Sequence, residues 1–147
     1  MKNGRAFPII LTVLIILILS LFFYIKNSKE TVCFEEKCFA VKIADNELER
    51  QKGLMDVELL EKNEGMLFVF DGAGKHPFWM KNTLIPLDIL WIDENKEVVY
   101  IAENQKPCAI NEDCHLINPN ADAMYVLEIN AGISERMNIS LGDRMTF

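Results

Sequence analysis

Phe7 to Ile25 is a nearly unbroken apolar run, interrupted only by Thr12, Ser20 and the amphipathic Tyr24. It constrains the chain more than any other stretch, because a segment apolar on every side cannot lie as one face of a surface element. Its nineteen residues would make a helix of roughly 28 Å at about 1.5 Å per residue, close to the hydrocarbon thickness of a bilayer. Pro8 stands near the start, where a helix tolerates it. The run is longer than the apolar part of a signal peptide, and Lys26-Asn27-Ser28-Lys29 behind it offers no small-x-small cleavage site. An uncleaved transmembrane anchor at 7–25 is therefore expected over a removed leader. The chain then divides into a cytoplasmic N-terminus (1–6), the anchor (7–25), a tether with the start of a stapled hairpin (26–37) and a domain (38–147).

Basic residues do not orient the anchor, since Lys2 and Arg5 are balanced by Lys26 and Lys29. Cysteines do. All four, at 33, 38, 108 and 114, lie beyond the run in two close pairs, which fits an oxidising compartment. The expectation is a single-pass protein of the cell membrane with its C-terminal domain outside the cytoplasm. Beyond the run stand thirteen basic against twenty-two acidic residues, about minus nine. That balance argues against nucleic acid and anionic membrane surface as partners. The membrane, through 7–25, and an unknown polar ligand or envelope protein remain.

Thr31 to Ala44 reads as two strands around Glu35-Glu36-Lys37, with Cys33 and Cys38 facing each other across the hairpin. Asn46 and Glu49 have capping-box spacing, and Gly53 suits a left-handed helix end, so a short helix is predicted over 45–53, sealed to the core by Leu48 with Leu54 and Met55 beyond its end. Gly65 to Phe70 is a continuous apolar run of strand length, read as buried on both faces. Leu87 to Asp93 and Glu97 to Glu103 form a second hairpin around Glu94-Asn95-Lys96. Residues 104–120, holding Pro107, Pro119 and the second cysteine pair, read as a long stapled loop. Ala123 to Ile129 is a strand, Ile133 to Ile139 a helix, and Arg144 to Phe147 a closing edge strand. The class expected is β-rich α+β: a curled or barrel-like, mostly antiparallel sheet with two short helices, its connections too short for a crossover helix.

The densest chemistry lies between Phe78 and Asp88. Alternation puts Phe78 and Met80 on one face, Trp79 and Lys81 on the other. In a functional reading Trp79, Lys81, Asn82, Thr83 and Asp88 surround a cleft for a polar ligand, with an indole platform, an ammonium and an amide. In a structural reading Trp79 is core, Asn82 bonds the backbone of its own turn and Lys81 pairs with a carboxylate. Lys81 with Asp88 also admits acid–base chemistry in an extracytoplasmic enzyme acting on envelope polymer or glycan, although a salt bridge is the commoner use of such a pair. The cysteines with His115 miss the usual zinc spacings, so two disulfides, Cys33–Cys38 and Cys108–Cys114, are expected instead of a metal. Met55, Met66 and Met80 suit Cu(I) by type but show no clustered repeat, and methionine more often fills core gaps. No cofactor is expected. There is no nucleophile elbow, phosphate loop or His-Glu-x-x-His.

Four blocks carry a resemblance. Arg50-Gln51-Lys52-Gly53-Leu54-Met55, Glu64-Gly65-Met66-Leu67-Phe68-Val69-Phe70, Phe78-Trp79-Met80-Lys81-Asn82-Thr83-Leu84-Ile85-Pro86-Leu87-Asp88 and Gly142-Asp143 resemble the bacterial and archaeal family called domain of unknown function 192, over about 38–147. The resemblance implies a compact β-rich domain with small helices, and no activity. With Arg50 added from the first block, the ligand-binding surface expected is Arg50, Trp79, Lys81, Asn82, Thr83 and Asp88. A non-enzymatic, membrane-tethered binding or accessory module is the leading expectation, and the enzyme its rival.

Overall fold

The computed structural model describes residues 6–26, 29–109 and 111–147, with side chains in the first segment described for Ile10 to Leu21. The expected cytoplasmic segment 1–6 lies, apart from Ala6, outside the described residues, as do Asn27 and Ser28 of the tether. Helix α1 (Ala6–Lys26) forms over the apolar run, and Ile10 to Leu21 are exposed throughout. Among the described residues no helix is long and apolar enough to cross a membrane.

Seven strands follow: β1 (Glu30–Phe34), β2 (Lys37–Ala44), β3 (Glu64–Gly74), β4 (Leu87–Ile92), β5 (Val98–Gln105), β6 (Ala123–Asn130) and β7 (Met145–Thr146). They make one curled, half-barrel sheet in the order β5-β4-β6-β3-β2-β1-β7. Both expected hairpins form, with Cys33 opposite Cys38 in the first and Trp91 opposite Tyr100 in the second. Among these strands the pairing is antiparallel except between β2 and β3, which run parallel. This corrects the expectation that no connection was long enough for a crossover. Residues 45–63 carry the chain from β2 back to the start of β3, and helix α2 (Glu47–Lys52) lies in that crossover.

The α2 boundaries follow from local chemistry. Asn46 is extended and its side chain accepts from the Glu49 N–H at 3.1 Å, satisfying a donor the first turn leaves free. Gly53 ends the helix with φ +48° and ψ −138°, a conformation suited only to glycine. Leu48 is 78% exposed, contrary to expectation, so Leu54, beyond the helix end, ties this region to the core. The C-terminal helix is likewise shorter than predicted: α3 spans only Ile133–Arg136, after Gly132 at φ +75°.

Both faces of the sheet are covered, which is why all six residues of β4 are buried. One face packs Phe34, Phe39, Leu67, Leu90, Ile92, Leu127 and Ile129 with Ile133 and Ile139 of the α3 region. On the other, Phe68, Ile89, Trp91 and Val126 pack with Leu54 and Met80. Here an edge-to-face series runs Phe68–Phe78 (4.8 Å), Phe78–Trp91 (5.6 Å) and Trp91–Tyr100 (5.3 Å). The Trp91 indole N–H also donates to the His76 carbonyl at 2.9 Å. Together these contacts fix the 76–83 segment across the sheet.

Candidate functional site

Phe78 to Thr83 is not a regular strand, yet it keeps strand-like alternation. Single bridges hold it: Phe78 with Ile117, Lys81 with Cys108, and Thr83 with Met55. Cys108 N–H donates to Met80 O at 3.1 Å, and Asn82 N–H donates back to Cys108 O at 2.9 Å. Cys108 is bonded to Cys114, and Cys33 to Cys38, so both expected disulfides are formed. The second staple therefore clamps the loop that carries Lys81 and Asn82.

Met80 faces in, at 5% exposure, while Trp79 stands out at 42%. This overturns the reading of Trp79 as core. Trp91 takes that role, fully buried. Lys81 Nζ sits 4.9 Å from the centre of the Trp79 ring, a cation–π contact, and has no carboxylate within ion-pair distance among the described residues. Asn82 adopts φ +57° in its turn and is held through its backbone: its carbonyl accepts from Asp56 N–H at 2.9 Å.

Asp88 belongs elsewhere. It is fully buried on β4. One carboxylate oxygen accepts from Asn104 N–H at 2.8 Å; the other accepts from the N–H and hydroxyl of Ser134 at 2.9 and 2.7 Å. Arg50 braces α2 by donating to Asp45 O (2.7 Å) and Val69 O (2.9 Å), with Phe70 under its guanidinium.

Arg50, Trp79, Lys81 and Thr83 line one recess of about 30 Å³, together with Lys52, Gly53 and Phe68; Asn82 and Asp88 do not. At the recess lies a residue the sequence reading did not single out, Glu128 on β6. It is 4% exposed, and its Oε2 is the one buried side-chain oxygen or nitrogen among the described residues without a hydrogen-bond partner. Burial pushes its carboxyl up from the ordinary range to about 8. Register explains its position: Glu128 lies opposite Met66 of β3 and Ile89 of β4, on the same face as Val126. The available signal was an acidic residue inside the apolar run Met124-Tyr125-Val126-Leu127-Glu128-Ile129. A larger cleft of about 370 Å³ borders the Cys108–Cys114 loop, with Glu112, Asp113 and His115 on its wall, but among the described residues no unpartnered buried polar atom lies in it.

A half-open curled sheet that supports one small polar recess defines the class as a β-rich α+β domain with a candidate ligand site. The chain belongs to the DUF192 family, described as uncharacterized ACR, whose match spans residues 30–147. The match takes in the Cys33–Cys38 hairpin, which the resemblance over 38–147 had left at its edge. Two solved structures are similar. One, a proposed transcription regulator from Sinorhizobium meliloti, is 32% identical, with TM-score 0.71 over 79% of this chain and 89% of that one. The other, a protein of unknown function from Novosphingobium aromaticivorans, is 34% identical, with TM-score 0.72 over 80% and 82%. Among curated proteins none matches significantly.

Proposed function

We propose that this chain is a membrane-tethered, extracytoplasmic, non-enzymatic binding module whose ligand or envelope partner meets the Arg50–Trp79–Lys81 surface. The observation that carries the reading is Trp79 itself: a large aromatic held 42% exposed beside an ammonium that has no carboxylate partner among the described residues. An indole left partly in water forgoes burial worth about 2 kcal/mol or more, which a binding platform regains when it is covered. Two features support the address: the apolar side chains of Ile10 to Leu21 are exposed along α1, and all four cysteines are paired. The net charge of −7 supports a partner other than nucleic acid. The rival enzyme gains no support, because three donors occupy Asp88 and it does not line the recess with Lys81.

The test is capture on the anchored full chain in its own membrane, comparing wild type with the Lys81→Ala, Asn82→Ala double variant. Loss of the captured species in the variant is expected; equal recovery would overturn the surface assignment. Protease added outside intact cells should digest the domain, and protection until the cells are broken would overturn the address.

A further inference from the structure

The recess beneath Trp79 and Lys81 contains a buried carboxyl with an unused oxygen, and buried polar atoms in folded proteins nearly always have a partner. We propose that the recess is a binding site for a carboxylate-bearing small molecule, its carboxylate held between the Lys81 ammonium and the Glu128 carboxyl. The proposal rests on the Trp79–Lys81 surface being the ligand-binding face and names the chemistry of what binds there.

Size sets the first limit. About 30 Å³ admits one small terminal group and not a ring. Charge sets the second. Arg50 and Lys52 from α2 and Lys81 from the 78–83 segment line the recess, and Glu128 is the one acid there; Met66, Phe68 and Ile89, which adjoin Glu128 from β3 and β4, are uncharged. Lys52 is paired with Asp56, and Arg50 is engaged by two carbonyls, which leaves Lys81 as the uncommitted charge. A neutral Glu128 can donate its O–H to an anionic oxygen while Lys81 supplies the counter-charge. An amine would meet the uncompensated charge of Lys81, since Arg50 and Lys52 are paired with Glu47 and Asp56. A neutral hydroxyl would leave Lys81 unmatched.

Gly53 keeps the recess open. A Cβ there would lie 3.3 Å from the Phe68 ring and 3.9 Å from Glu128 Oε2, over the unused oxygen. Protonation adds a signature. With Glu128 titrating near 8, the donor is present at neutral pH and becomes a second anion in alkali, so carboxylate affinity falls by about tenfold between pH 7 and 9.

The full chain in detergent is titrated with acetate, and with methylammonium as the charge-reversed control, following the Trp79 indole resonance assigned against Trp79→Phe. Saturable acetate binding is expected, weaker by about tenfold at pH 9 than at pH 7. Lys81→Met should abolish it. Glu128→Gln, whose amide still donates, should keep binding and lose its pH dependence. No saturation by ~100 mM acetate, meaning that water alone occupies the recess, would overturn the proposal. So would tighter methylammonium binding, or binding unchanged in Lys81→Met. If acetate fails while membrane capture still depends on Lys81, the ligand chemistry is wrong and the surface reading stands.

Discussion

Oδ2 of Asp88 accepts two hydrogen bonds from one residue, the N–H of Ser134 at 2.9 Å and its hydroxyl at 2.7 Å. This joins the start of β4 to the first turn of α3, while Oδ1 holds the end of β5 through Asn104 N–H. Asp88→Ala orphans three buried or part-buried donors, so a loss of about 3 kcal/mol or more is expected in urea denaturation. The carboxylate serves the fold, and at temperatures where the variant remains folded, ligand capture by the Lys81 surface should be retained.

Glu128 gives a pH-dependent stability of definite sign. In the unfolded chain it ionises near 4.3; in the fold it stays protonated to about 8. Its contribution is thus complete below the unfolded value and declines as pH rises through the folded one, by on the order of 5 kcal/mol in total. The measurement is the difference in unfolding free energy between wild type and Glu128→Gln from pH 5 to 9. Wild type should lose stability relative to the variant across that range. A flat difference would show that Glu128 titrates normally.

Much of the fold was legible because it depends on short-range signals. Asn46 and Gly53 bracket α2, Cys33 and Cys38 fall in register, and Glu94-Asn95-Lys96 joins β4 to β5. The parallel β2–β3 pair was not legible, since a crossover of 45–63 holding only a six-residue helix resembles an ordinary loop. Leu48 misled because helical spacing marks a face but not whether anything covers it. In the candidate site, alternation placed Trp79 and Lys81 on one face, and the structure has them in contact there. Glu128 was missed, because its burial arises from two strands and a crossover distant in sequence. Asp88 was misassigned for the same reason: its partners Asn104 and Ser134 lie 16 and 46 residues away.

Gly53→Ala should be costly despite the small side chain. Its φ of +48° with ψ −138° disfavours any L-residue, and the added methyl meets Phe68 at 3.3 Å. A loss of about 1–3 kcal/mol in thermal or chemical melts is expected. Because that methyl also lies over Glu128 Oε2, acetate binding should fall with it.

The two disulfides should separate stability from binding. Each closes a loop of similar length, with sequence separations of 5 and 6, so replacing either pair by serine costs about 2 kcal/mol on the chain-entropy account. Cys33–Cys38 staples the β1–β2 hairpin, whereas Cys108 exchanges backbone hydrogen bonds with Met80 and Asn82. Only the Cys108→Ser, Cys114→Ser variant should weaken capture at Lys81. Non-reducing peptide mapping of the native protein should recover both pairs.

The two tryptophans offer the sharpest contrast, because one chemical change is made in two environments. Trp91 is fully buried, lies against Phe78 and Tyr100, and bonds His76 O, so truncation removes packing and a hydrogen bond together. Trp91→Ala should cost about 3–5 kcal/mol. Trp79, 42% exposed with Lys81 over its ring, has little packing to lose, and Trp79→Ala should cost under about 1 kcal/mol. Its effect should instead appear as lost ligand capture at nearly unchanged stability. Equal destabilisation by the two variants would make Trp79 a structural residue and remove the ground for a binding face at this surface.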